Sequence, residues 1–83
     1  MEGIISDINW ERGMASVKTE MGDYSIFEIQ SDDNIHKGDE ISWDGIQPMG
    51  DHKIKNITED EELTVYFQNH SVSIENLREQ LQY

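Results

Sequence analysis

Between residues 3 and 29, apolar and polar positions alternate in three short runs separated by glycine-bearing turns. The runs span residues 3–10, 14–19 and 24–29, and the turns are Glu11-Arg12-Gly13 and Glu20-Met21-Gly22-Asp23. β-Branched and apolar residues at a period of two between such turns predict a three-stranded antiparallel meander, the start of a small barrel. In the first strand Ile5 is expected on one face and Asp7 on the other, with Ile4 and Ile8 near the ends. In the second, Ala15 and Val17 suit the interior, which leaves Met14, Ser16 and Lys18 outside. In the third, Ser25, Phe27 and Ile29 alternate with Tyr24, Ile26 and Glu28, and Phe27 is the foremost core candidate.

A polar connection over residues 30–34 and a turn over 35–39 lead to a fourth strand, residues 40–43, in which Ile41 and Trp43 share a face. Turn residues Asp44-Gly45 and Pro48-Met49-Gly50-Asp51 then precede a fifth strand over residues 52–58. Ile54 and Ile57 are three apart, so either a bulge separates them or one is exposed. Beyond the acidic run Glu59-Asp60-Glu61-Glu62, residues 63–67 read as a further strand with Leu63, Val65 and Phe67 on one face, suited to augmenting the barrel or covering an edge. Ser73 is placed to cap a short helix over residues 74–82, with Val72 and Leu77 as a hydrophobic staple and Ile74, Leu77 and Leu81 as one apolar stripe. A helix this short is not stable alone. Its stripe is expected to pack on the barrel or to dock on a second copy or another protein. The chain is thus expected to be mainly β, with a barrel over residues 1–58 and an extension over 59–83 packed on the same domain.

Composition narrows the function. The 83 residues suffice for one core. Eighteen acidic residues against six basic ones give a net charge of −12, which repels phosphates and anionic lipid and attracts basic surfaces. The cations, Arg12, Lys18, Lys37, Lys53, Lys55 and Arg78, are scattered, although each phosphate contact normally requires one. Without cysteine there is no disulfide framework or thiolate zinc site, and with neither a basic leader nor a membrane-length apolar run the expected location is the cytoplasm. The spacings Asn56-Ile57-Thr58 and Asn69-His70-Ser71 match glycosylation acceptors but carry little weight without a secretory leader.

Catalytic signatures are lacking: there is no glycine-rich phosphate loop, activated serine arrangement or thiol nucleophile. A non-enzymatic protein without cofactors is therefore expected. His36, His52 and His70 read as separate surface histidines, and the acidic run lacks the glycine turn of a calcium loop, so no metal is expected. Trp10 is expected to pack locally against a neighbouring strand, and Trp43 in the core.

Gly3-Ile4-Ile5, Asn9, Glu11-Arg12-Gly13 and Val17 fit the opening of the cold-shock domain without a gap. The stretch Lys37-Gly38-Asp39-Glu40-Ile41-Ser42-Trp43 resembles that domain's entry into its fourth strand, and Lys55-Asn56-Ile57 resembles its last strand. The resemblance covers residues 3–57. It implies a five-stranded Greek-key barrel of the OB type, here with an added C-terminal strand and a short α-helix, in which the second and third strands normally present aromatic side chains to bases.

The departures fall on the ligand-binding positions that the resemblance assigns. Asp7 and Ile8 stand where the family has tryptophan and phenylalanine, Met14 and Ser16 replace two phenylalanines, Ile26 replaces another, and Glu28 replaces a histidine. Base stacking contributes ~1–3 kcal/mol per base, so loss of several rings removes most of the affinity. What remains is an apolar set, Ile8, Met14 and Ile26, rimmed by Asp7, Glu28 and Glu11.

These features together lead to the expectation of an acidic protein-binding module facing a basic, nucleic-acid-handling partner, with Asp7, Glu28, Asp32, Asp33, Asp39 and Glu40 imitating phosphates as small acidic inhibitors from phages and mobile elements do. The expected contact residues are these carboxylates with Ile8, Met14 and Ile26, and Ile74, Leu77 and Leu81 form a helical surface for oligomer or partner contact, including a homodimer. One alternative is a divergent single-stranded nucleic-acid binder using Arg12, Lys18, Lys53 and Lys55 with Trp10 or Tyr24. Another is an assembly protein that oligomerises through its C-terminal strand and helix.

Overall fold

The first strand, β1 (Glu2–Asn9), is not regular. Its pairing with β2 (Met14–Thr19) places Ile5 opposite Val17 but Asp7 opposite Ser16, so Ser6 is an extra, bulged residue. Positions two apart normally share a face, and the bulge is what turns Ile5 and Asp7 to opposite sides. It also brings Ile8 inward, where it packs, partly buried, against the main core. The computed structural model describes residues 1–30 and 34–81 of the chain.

Four further strands complete the sheet: β3 (Tyr24–Glu28), β4 (Glu40–Ser42), β5 (Gly50–Asn56) and β6 (Glu61–Val72). All pairings are antiparallel, and the order β1-β2-β3-β6-β5-β4 closes on itself through Gly3 opposite Ile41. The result is a mainly β, closed six-stranded barrel, consistent with a small OB-like barrel carrying a C-terminal helix. The strand expected over residues 63–67 is longer and more central than the sequence suggests. Twelve residues long, β6 pairs with β5 from Glu61 to Phe67 and with β3 from Tyr66 to Val72. It is therefore a stave of the barrel, which does not close at residue 58.

Two apolar clusters lie on the two faces of the β1-β2-β3 meander. Inside the barrel are Ile5, Ala15, Val17, Phe27, Ile41, Trp43, Ile54, Val65 and Phe67. Phe27 meets Phe67 edge to face at 5.7 Å, and Trp43 lies 5.1 Å from Phe67, separations that suit the aromatic quadrupoles. Outside the barrel Met14, Tyr24, Ile26, Val72 and Leu81 form a second cluster, with Leu77 packed against it.

The helix α1 (Ile74–Gln80) makes that second cluster possible. Ser73 occupies the N-cap position, but its side chain caps no backbone N–H; its hydroxyl instead accepts from Asn76 Nδ2 at 3.1 Å. Val72 and Leu77 do fall in one cluster, as a staple requires. Ile74 departs from the expected stripe, being 66% exposed, whereas Leu81 is fully buried. Leu81 closes the helix, its N–H bonded to the Leu77 carbonyl at 3.1 Å. No helix among the described residues is long and apolar enough to cross a membrane.

Candidate binding site

The expected contact residues separate into buried and exposed groups. Met14 is 5% and Ile26 0% exposed, because the segment from Val72 to Leu81 lies over them. Ser16, expected outside, is also buried, and shares a 2.6 Å hydrogen bond with Ser6. Ile8 belongs with the main core, so Ile8, Met14 and Ile26 do not form one exposed patch. Leu77 and Leu81 are engaged within the chain, and Ile74 alone of the helical set is open to solvent.

The carboxylates also divide. Asp39 is buried, and its Oδ2 accepts hydrogen bonds from the His36 N–H and from Asn56 Nδ2, both at 2.9 Å. It therefore holds the loop before β4 rather than presenting charge. Asp7 and Glu28 are half-buried, and Asp7 Oδ1 accepts from the Ile8 N–H. Glu40 is exposed. Asp32 and Asp33 lie outside the described residues.

An open, largely apolar depression lies instead across β1, on the outside of the barrel between β2 and β4. Lys18, Ile4 and Glu40 stand in one row on three adjacent strands, since Ile4 is opposite Lys18 on one side and Glu40 on the other. Ile57 lines the same groove just beyond the end of β5, its N–H bonded to the Glu40 carbonyl at 2.8 Å. Ile4 is 50% and Ile57 42% exposed. The groove has a volume of about 500 Å³.

Its rim is acidic. Glu2 sits two residues before Ile4 on the same face of β1. Glu20 is fixed beside it by a pair of bonds: the Glu20 N–H donates to the Glu2 carbonyl, and Glu20 Oε1 accepts from the Glu2 N–H, both at 2.9 Å. Glu40 closes the opposite side, against which Lys18 sets a single positive charge. Gly3 explains how β1 and β2 come close enough to form the floor. A Cβ there would lie 2.5 Å from Val17 Cγ1 and 2.7 Å from the Lys18 carbonyl oxygen.

The sequence reading missed Ile4, Glu2, Glu20 and Ile57 as a set. One signal was present, the broken alternation of Ile54 and Ile57: Ile54 is core, and Ile57 is the exposed one. Trp10, expected to pack locally, is also largely exposed, at the far end of β1.

Two polar clusters elsewhere are accounted for by internal bonds. His36 Nδ1 lies 3.4 Å from Glu59 Oε2 and 3.7 Å from Asp39 Oδ2, the one group of metal-ligating side chains that converges within 4.8 Å among the described residues. Its carboxylates are already engaged, Asp39 as above and Glu59 Oε1 with Asn34 Nδ2 at 3.2 Å. Asn56 completes this clamp, donating to Asp39 and to the Asn34 carbonyl and accepting from the Glu59 N–H at 3.1 Å. His70, expected on the surface, is partly buried: Nε2 contacts the Pro48 carbonyl and Nδ1 lies 2.8 Å from Ser25 Oγ. A carbonyl requires an N–H donor, so in the neutral ring Nδ1 accepts from Ser25. The ring also packs 4.8 Å from Phe67, and these contacts tie the β4–β5 loop to the barrel.

No protein-family model, curated protein or solved structure matches this chain.

Proposed function

We propose that the protein is a non-enzymatic acidic binding module that occupies the basic surface of a nucleic-acid-handling protein, its carboxylates standing in for phosphates. The observation that carries this reading is the groove across β1, where Glu2, Glu20 and Glu40 surround two exposed isoleucines on a chain of net charge −12. A field of one sign steers an oppositely charged partner and raises its encounter rate, while desolvated apolar contact holds the complex. Covering of Met14 and Ile26 by the chain's own C-terminal segment supports a ligand other than stacked bases, since the outer face of β2 and β3 offers no open aromatic platform there.

The reading is tested by recovering partners from an extract of the source cells and mixing each purified partner with its own nucleic acid. The expected partner is basic, and this protein and nucleic acid exclude one another from it, most strongly at low salt. Partners that carry nucleic acid and this protein together would overturn the mimicry.

A further inference from the structure

We infer that the β1 groove is a docking site for an extended cationic segment of another protein, one that carries an aliphatic side chain between its positive charges. This rests on the proposed function and assigns the place and chemistry of the contact. The floor is apolar and open, Ile4 and Ile57, and nothing among the described residues covers it. Three carboxylates line it against one ammonium group, so the charge it offers is negative on balance. A neutral or anionic apolar segment would desolvate Glu2, Glu20 and Glu40 without compensation, which burial of charge penalises. A lysine- or arginine-bearing segment compensates them, and its aliphatic residue covers the two isoleucines.

The geometry also orients the segment. Glu2 and Glu20 are joined backbone to side chain at one end of the groove, and Glu40 stands on the β4 side. Lys18, in register with Ile4 on the β2 side, repels a cation placed there. Adjacent strands are about 4.8 Å apart, so Lys18 and Glu40 flank Ile4 at a backbone separation of roughly 10 Å. The bound segment therefore sets its positive charges over Glu2, Glu20 and Glu40 and keeps them away from Lys18. The barrel is closed through β1 and β4, so its backbone cannot add a strand between them. Recognition is by side chains.

The test uses two synthetic peptides of equal charge, one with a central Lys-Leu-Arg and the other with Lys-Gly-Arg, titrated into the full chain at low salt while its backbone amide spectrum is followed. The leucine peptide is expected to bind about tenfold more tightly, the gain from covering one aliphatic side chain, and to shift the amides of Ile4, Glu40 and Ile57. I57S, placed beyond the strand end, and I4S should each bring the leucine peptide down to the affinity of the glycine peptide. E40Q should weaken both peptides. Equal binding of the two peptides, unaffected by I57S, would overturn the groove assignment while leaving a basic partner in place. Binding of neither peptide would overturn both.

Discussion

Asn9 and Leu81 are joined by a buried hydrogen bond: Asn9 Nδ2, on the first strand, donates to the Leu81 carbonyl, 72 positions later, at 2.8 Å. The same Asn9 accepts from the Arg12 N–H through Oδ1 at 3.2 Å, so one side chain fixes both the first hairpin and the end of the helix. The bond satisfies a carbonyl left without a partner at the helix C-terminus. It also anchors the segment that covers Met14 and Ile26.

Leu81→Ala should therefore cost about 2–4 kcal/mol, because a fully buried leucine loses both its transfer energy and the packing around it. Urea unfolding measures this, and a loss below ~1 kcal/mol would mean that the helix end is not held as described. Ile74→Ser, at an exposed position of the same helix, should change stability by no more than ~0.5 kcal/mol.

Gly3→Ala tests the close approach of the first two strands. One of its clashes is with a backbone carbonyl, which cannot rotate away, so β1 must shift. The expected loss is ~1–3 kcal/mol by thermal or chemical unfolding.

Asn56→Leu should destabilise by ~1–3 kcal/mol, since it leaves Asp39 and the Asn34 carbonyl short of a donor and the Glu59 N–H without its acceptor. Amide exchange should show the greatest loss of protection at Ile35, His36 and the turn around Glu59.

Asp60→Gly should stabilise the chain by up to ~1 kcal/mol. Asp60 takes a left-handed φ of 55°, which glycine adopts without a steric penalty. The ion pair it gives up, with Lys55 at 3.7 Å, is exposed and contributes little. A loss of stability would show that the turn depends on that pair.

Much of the barrel was legible because alternation reports which residues share a face. Ala15, Val17, Phe27, Ile41, Trp43, Leu63, Val65 and Phe67 are all core, as their parity requires. Alternation does not report whether the other face is covered. Met14 and Ile26 do point away from the barrel interior, yet a segment some fifty residues further along the chain buries them. Nor does it reveal a bulge: Ser6 resets the parity of β1 and turns Ile8 inward, whereas the cold-shock resemblance puts Ile8 on the outer face with Met14 and Ile26. The last five residues of β6, from Gln68 to Val72, are mostly polar and carry no strand pattern; their pairing with β3 decides their structure. Asp39 illustrates the same limit for charge. In sequence it is one acid among eighteen, and only its hydrogen bonds distinguish a structural carboxylate from a surface one.

The central claim, that the ligand is cationic protein rather than nucleic acid, is tested most directly by titrating one sample with the Lys-Leu-Arg peptide and a matched sample with a single-stranded oligonucleotide, at low salt. The exposed Trp10 serves as one fluorescence probe, and the amides lining the β1 groove serve as another. The account predicts saturable binding of the peptide that weakens as salt shortens the Debye length from ~30 Å at 0.01 M to ~8 Å at 0.15 M, with no response to the oligonucleotide. Micromolar binding of the oligonucleotide, with none of the peptide, would contradict it.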